Sequence, residues 1–383
     1  MAKHVNKQLR AQEDILSPQA IDAVKASIKE LRDAIKSNAD KETLEEKMVD
    51  LEKTAKKWIK PYPYAGWREN VEVLLVAIAV AMAIRTFFLQ PFKIPTGSMQ
   101  PTLFGITVSD LRNDVGFKMP NLAERLYKGA IFGTYYHEII APEDGVVKSI
   151  LRPQSMGITR QQIIVQYNNQ VSPTVLTLWF APGPDFSQPA KVYPTSGTIF
   201  AKGTPILRFR ETVGDYLFIN RLTYNFTRPK RGDIVVFKTH GIDRLTKDYT
   251  GMPTGQDNLF YVKRLVGLPG ETISIGEDRH IRINGQRLDA STPHFEKVYS
   301  FDPNKSPTDS QYSGHTQIFD NRWGTSIGDG KFTIRDRHFF VCGDNTASSL
   351  DSRFWGDLPQ ENVIGKYCFV YYPLSKRFGW GAR

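Results

Sequence analysis

Phe260-Tyr261-Val262-Lys263-Arg264-Leu265-Val266-Gly267-Leu268-Pro269-Gly270 is the stretch from which the fold is read. β-branched, aromatic and aliphatic residues fill it, and Pro269-Gly270 ends it, as expected of a strand closed by a turn. The neighbouring sequence repeats the pattern. Tyr216 to Arg221 and Ile234 to Lys238 precede it, divided by Arg228-Pro229-Lys230-Arg231-Gly232-Asp233. Thr272 to Ile275, His280 to Ile283, Phe339 to Cys342 and Val363 to Tyr371 follow it. Asn284-Gly285 is a two-residue hairpin signal, because both residues tolerate the positive φ of a type I′ turn. Many short strands with few helical stretches predict a mainly β chain from Gly214 onward, an antiparallel sandwich or barrel-like fold.

Lys263 interrupts the apolar run. Strict alternation places it on one face with Tyr261 and Leu265, opposite Val262, Arg264 and Val266. Two readings are open. An edge-strand lysine pointing to water would guard against edge pairing. A desolvated lysine would instead be held neutral and accept a proton, since burial lowers an ammonium pKa from about 10.4 by several units. A serine paired with such a lysine is an alternative to the Ser-His-Asp arrangement. The candidate serine is in Gln90-Pro91-Phe92-Lys93-Ile94-Pro95-Thr96-Gly97-Ser98-Met99-Gln100-Pro101-Thr102-Leu103. Pro91 and Pro95 lack amide donors and fix φ, so the chain runs extended there. Gly97 is expected to let another backbone approach beside Ser98. Ser98 is then either a nucleophile or part of a polar linker. The polar run from Cys342 to Gly356 is open in the same way. It is a turn network with an Asp351–Arg353 surface pair worth under ~1 kcal/mol, or a platform that orients the lysine.

Upstream of Ser98 lies the one long apolar segment, Val71 to Leu89, about long enough to span a bilayer core. Glu72 and Arg85 stand near its ends, where long charged side chains reach the headgroups. A buried soluble helix is the competing reading. Lys53, Lys56, Lys57, Lys60 and Arg68 crowd its N-terminal side, which predicts a cytosolic N-terminus with Ser98 outside, nine positions beyond Leu89. The long charged arm in front argues against a cleaved secretory signal. In that arm Ile15, Ile21, Val24, Ile28, Leu31 and Ile35 recur at helical spacing, with Ser17-Pro18 as N-cap and first turn. A second helix is expected over Lys41 to Lys57, with Leu44, Met48 and Leu51 on one face. The arm reads as a solvated hairpin or short coiled coil, or as a docking arm for an unnamed partner.

Composition narrows the function. The 383 residues carry a net charge of +10, much of which the flank of an anchor accounts for without nucleic acid. No zinc-type spacing and no glycine-rich phosphate loop occurs, so neither a metal nor another cofactor is expected. The two cysteines, Cys342 and Cys368, both fall in strand-like runs and suit buried thiols better than a disulfide scaffold.

Taken together, these stretches resemble the bacterial type I signal peptidases. Thr96 to Leu103 is similar to the family's nucleophile box. Gly214-Asp215-Tyr216 through Arg231-Gly232-Asp233-Ile234-Val235-Val236-Phe237 is similar to its next strand box. Tyr261 to Gly270 is similar to the general-base box, and Gly343-Asp344-Asn345 with Ser349, Asp351, Ser352 and Arg353 to the last one. The resemblance implies a membrane-bound serine endopeptidase of the inner membrane that removes signal peptides from exported preproteins after Ala-X-Ala. Ser98 would attack the scissile carbonyl and Lys263 would act as general base. The Ser98 amide and Thr96 hydroxyl would form the oxyanion hole, where many members carry serine in place of Thr96. Ser349 would hydrogen-bond the lysine, and Asp351 with Arg353 or Arg264 would brace the loop. Met99 would help form the small substrate pockets, with the peptide docked as an added strand.

The organisation expected is a helical cytosolic arm over 1–60, an anchor over 67–90, and a catalytic domain from 91–105 and 214–383. A compact member passes from Leu103-Phe104-Gly105 almost directly to Gly214-Asp215, so 106–213 is an insertion. It reads as β-rich, with strands over Ile139 to Ile150, Ile163 to Tyr167, Val175 to Phe180 and Ile199 to Phe209. Ala141 to Val147 and Lys202 to Leu207 resemble the half-motifs of biotinyl/lipoyl-like hammerhead modules, without a lysine at an obvious hairpin tip. A second excursion, 289–331, is expected to be a loop or small cap. Two competing functions remain: a self-cleaving Ser-Lys repressor, against which the anchor counts, and an inactive membrane-tethered binding protein working through the insertion.

Overall fold

The computed structural model describes residues 1–60, 64–114, 116–151, 154–156, 158–180, 192–247, 251–299, 314–315 and 330–381. The chain divides into two compact units, Met1–Ala81 and Met82–Arg383.

The first unit is helical. Helices α1 (Ala2–Arg10), α2 (Pro18–Lys36) and α3 (Lys41–Trp58) meet around Val5, Leu9, Val24, Ile28, Leu31 and Leu51. Ser17 caps α2 by accepting the Ala20 amide, with Pro18 in the first turn, where its missing N–H is no loss. Helix α1 has no counterpart in the expected pattern. Ile15, Ile35 and Met48, assigned to buried faces by spacing, are exposed. Helix α4 (Ala65–Ala83) continues through a π-helical turn, Ile84–Phe88. Together Gly66–Phe88 form a candidate membrane span, with mean hydropathy 2.2 and none of it buried. Lack of burial argues against a soluble core helix. The span stops short of the expected boundary at 90, because Leu89 and Gln90 already belong to a strand.

The second unit is mainly antiparallel β. Its strands are β1 (Leu89–Lys93), β2 (Thr107–Asp110), β3 (Thr134–Ile140), β4 (Gly145–Ile150), β5 (Gln154–Met156), β6 (Ile158–Tyr167) and β7 (Thr174–Trp179). Next come β8 (Ile199–Phe200), β9 (Pro205–Thr212), β10 (Tyr216–Asn220), β11 (Ile234–Lys238), β12 (Phe260–Gly267), β13 (Thr272–Ile275) and β14 (Ile281–Ile283). The series closes with β15 (Gln286–Arg287), β16 (Lys331–Thr333), β17 (His338–Cys342), β18 (Leu358–Pro359), β19 (Val363–Tyr372) and β20 (Gly379–Trp380). The main sheet runs β1-β10-β19-β11-β12-β17-β18, with β20 added on β19. Strand β12 therefore lies between two partners, and Lys263 is not an edge residue. Leu217, Ile219, Val236 and Val370 pack with Met99 and Leu103 on this sheet, each fully buried aliphatic side chain contributing about 2 kcal/mol. A smaller sheet, β15-β14-β13-β16, carries the Asn284-Gly285 hairpin, both residues at positive φ.

Residues 106–213, the expected insertion, hold two further sheets, β2-β9-β3 and β5-β6-β4-β8 with β7 on β6. Each of the two longest expected strands is in fact two, broken at Ala141–Asp144 and at Ala201–Thr204. These breaks lie at the two hammerhead-like stretches, which bind one another: the Ala141 amide donates to Thr204 O and the Lys202 amide to Asp144 Oδ1. Helix α5 (Leu122–Phe132), unexpected in a β-rich stretch, is capped by Asn121 and ended by Gly133 in the left-handed conformation. Of 289–331, residues 300–313 and 316–329 lie outside the described residues. The part before them packs inward through Phe295, Val298 and Tyr299 against Ile273 and Phe340. Cys342 and Cys368 are free thiols.

Candidate active site

Strand β1 delivers the chain, extended, to a 3-10 turn at Gly97–Met99 that presents Ser98 half-buried. Lys263, in the middle of β12, reaches it: Nζ donates to Ser98 Oγ at 2.8 Å. Lys263 is 3% exposed, and burial pushes its pKa down to about 8. Asp351 partly opposes that shift, and the Arg353 charge adds to it. The lysine thus sits where water does not solvate its charge, beside a hydroxyl that water can still reach.

The loop after β17 holds Ser98 in place through its backbone. The Asn345 amide donates to Ser98 O at 3.1 Å, and Asn345 Nδ2 to Gly97 O at 3.0 Å. Gly343 makes this approach possible: a Cβ there would lie 2.4 Å from Ser98 O and 2.2 Å from Ser349 Oγ. The close approach expected at Gly97 belongs to Gly343 instead, since a Cβ on Gly97 would meet only the amide end of Gln100, at 3.3 Å. Neither Asn345 nor Asp344 was singled out for a role by its sequence position.

The ion pairs behind the site differ from the surface pair considered above. Asp351 and Arg353 are buried, joined at 2.8 Å through both carboxylate oxygens, and Asp351 also accepts the Gly343 amide. Arg264 does not touch Asp351. It pairs with Asp344 at 2.7 and 2.5 Å and donates to Gly232 O, because alternation on β12 sends it away from Lys263. Thr96 is exposed, and its hydroxyl donates to Ser98 Oγ at 3.4 Å. Met99 is 1% exposed and packed with Ile94 and Leu103. The Ser349 hydroxyl is buried beside Gly343 but makes no hydrogen bond, so the expected bond to Lys263 is not formed in this structure. Histidines lie elsewhere: His137 pairs with Glu211, His280 with Leu288 O, and His315 with Tyr299.

Known proteins match the same parts of the chain. A sequence model of the family described as signal peptidase, peptidase S26, matches residues 67–110 and 210–372, more than half of the chain, and passes over most of the insertion. Signal peptidase I of Leptolyngbya laminosa is 31% identical over 164 residues, 43% of this chain and 63% of that protein. Signal peptidase I of Aquifex aeolicus is 30% identical over 193 residues, 42% of this chain and 70% of that protein. The crystal structure of a signal peptidase I from Enterococcus faecalis is 28% identical, covering 37% of this chain and 97% of that one, with a TM-score of 0.25. The match thus spans less than two thirds of the Leptolyngbya relative's length. Ser98 falls in the first matched segment, while Lys263 and the loop that supports it fall in the second. By that match the chain belongs to the signal peptidase family, peptidase S26.

Proposed function

We propose that this protein is a membrane-anchored serine endopeptidase that removes N-terminal signal peptides from exported preproteins. The observation that carries the reading is the 2.8 Å contact between Ser98 Oγ and a buried Lys263 whose pKa lies at about 8. The neutral amine takes the Ser98 proton as Oγ attacks the scissile carbonyl, then passes it to the leaving amine. Deacylation repeats the sequence with water as nucleophile. The Ser98 amide and Thr96 hydroxyl stabilise the oxyanion, a donor of this kind being worth about 10²–10³ in rate. Asp351 and Arg353 brace the loop behind the lysine.

The substrate docks as an added strand on β1, an outer strand of the main sheet among the described residues that leads directly to Ser98. Met99 packs with Ile94 and Leu103 next to Ser98, and in this reading the pockets beside them admit small side chains such as alanine. In this reading the span anchors the enzyme in the bilayer, and the excess of lysines before it supports a cytosolic N-terminal arm with the site on the outer face.

Cleavage of an Ala-X-Ala preprotein by the detergent-solubilised full chain tests the reading. Wild type is expected to cut after the second alanine, with Ser98→Ala and Lys263→Ala at background while still folded. A Lys263→Ala variant at full rate would remove the lysine as base. A wild type that leaves such preproteins intact would favour a tethered binding protein instead.

A further inference from the structure

Ser98 and Thr96 belong to a loop whose neck is closed by one residue, Asp215. The Ile94 amide donates to Asp215 O at 2.9 Å, and the Asp215 amide to Phe104 O at 2.8 Å. The Phe104 amide donates to Asp215 Oδ2 at 2.8 Å. Inside the neck the Ile106 amide donates to Pro95 O, and a Cβ on Gly105 would lie 2.2 Å from the Thr96 carbonyl. A shift at the neck therefore transmits to Thr96 by direct contact.

The Asp215 carboxylate is fully buried, so holding it charged requires a counter-charge. Arg377 supplies one from outside the family-matched segments, which end at residue 372. Its Nε donates to Oδ2 at 2.7 Å and its Nη2 to Oδ1 at 2.8 Å, and its guanidinium lies over the Phe104 ring at 4.2 Å. The segment bearing it is fixed on both sides. The Leu374 amide donates to Ile131 O in the insertion's helix, and β20 pairs with β19. Tyr372 Oη also donates to Gly129 O of that helix.

We infer that Arg377 is a positioning residue for the Ser98 reaction, acting through Asp215 and Phe104 to hold the Thr96–Ser98 loop at its working distance from Lys263. The inference rests on the peptidase reading above. A planar fork bonded to both carboxylate oxygens fixes direction as well as charge, which a single point charge does not. Displacing a nucleophile by about 1 Å can cost about 10²-fold in rate without weakening substrate binding.

The test is steady-state preprotein cleavage by full-length wild type, Ser98→Ala, Arg377→Gln and Arg377→Lys in detergent, with thermal melts alongside. Arg377→Gln is expected to lower kcat about 10- to 100-fold with KM within about twofold. Arg377→Lys should recover part of kcat. Wild-type kcat in a folded Arg377→Gln would overturn the inference while leaving the peptidase reading intact. So would a loss that only follows the fraction folded, with no separation of kcat from KM and no recovery by lysine. A wild type that does not cleave would sink the peptidase reading and this inference with it.

Discussion

Lys263 and Arg264 are consecutive on β12, both cationic by type and both withdrawn from water at 3% and 2% exposure. The fold treats them oppositely. Arg264 receives a carboxylate of its own in Asp344, a backbone acceptor in Gly232 and the Phe295 ring at 5.7 Å. Lys263 receives one hydroxyl, Ser98 Oγ, and the Tyr261 ring at 5.6 Å, but no carboxylate of its own. Asp351 stands close enough to influence it, but both Asp351 oxygens are committed to Arg353 and one of them also to the Gly343 amide. One face of the strand thus satisfies a buried charge and the other withholds the means to keep one. The first arrangement supports structure; the second leaves an amine ready to take a proton.

Removing each side chain should break that symmetry in opposite directions. Arg264→Met strands the Asp344 carboxylate in the interior and should cost about 3–5 kcal/mol, read by chemical denaturation of the full chain in detergent. Lys263→Met removes a buried amine whose pKa has fallen from 10.5 to about 8, and should stabilise the protein at pH 7 by about 3 kcal/mol while abolishing cleavage. The sign follows from the proton count. Between about pH 8 and 10.5 the unfolded lysine holds a proton that the folded one has released, so wild-type stability rises with pH across that window. The advantage of Lys263→Met should be full below about pH 8 and gone above about 10.5. An advantage that does not change with pH would mean that packing, not charge burial, sets it.

The same shift predicts the rate profile. Lys263 in its proposed role as base would act only when neutral, so kcat/KM should rise about tenfold per pH unit below about 8 and level off above it. An acid limb near 10.5 would show that Lys263 is solvated in the working enzyme. A limb near 6.5 would point to a histidine.

How much of this was legible in the sequence depends on how local each cause is. The main strands follow from alternation and turn residues, and Ser17-Pro18 announces α2, because those signals lie within a few residues. Ser98 and Lys263 stand out by type against their surroundings. Their supports do not. Asp344 and Asp351 are seven residues apart in one polar loop, and the family resemblance left Asp351 to pair with either Arg353 or Arg264. Only the β12–β17 register, which sets Arg264 beside Cys342, brings Asp344 within reach. Arg377 and Asp215 meet across 162 residues with no local trace of the contact. Helix α5 is a different kind of miss, since Asn121 and Gly133 are readable caps at its two ends.

Ser349 gives the finest contrast between the satisfied and unsatisfied sides of the strand. Its hydroxyl is buried without a hydrogen-bond partner, next to the Gly343 backbone that lies against Ser98 O. Ser349→Ala removes an orphaned polar atom and breaks no bond, so it should stabilise the protein by about 1 kcal/mol. Activity should respond separately. In the proposed mechanism the hydroxyl would accept a hydrogen bond from Lys263 once Ser98 Oγ has bonded to the substrate, keeping Nζ aimed at the leaving amine. The expected result is a kcat lowered about tenfold, with KM unmoved and the denaturation midpoint no lower. An unchanged kcat would confine Ser349 to filling space beside Gly343, and Lys263 would then be oriented by Ser98 and the walls of its own pocket alone.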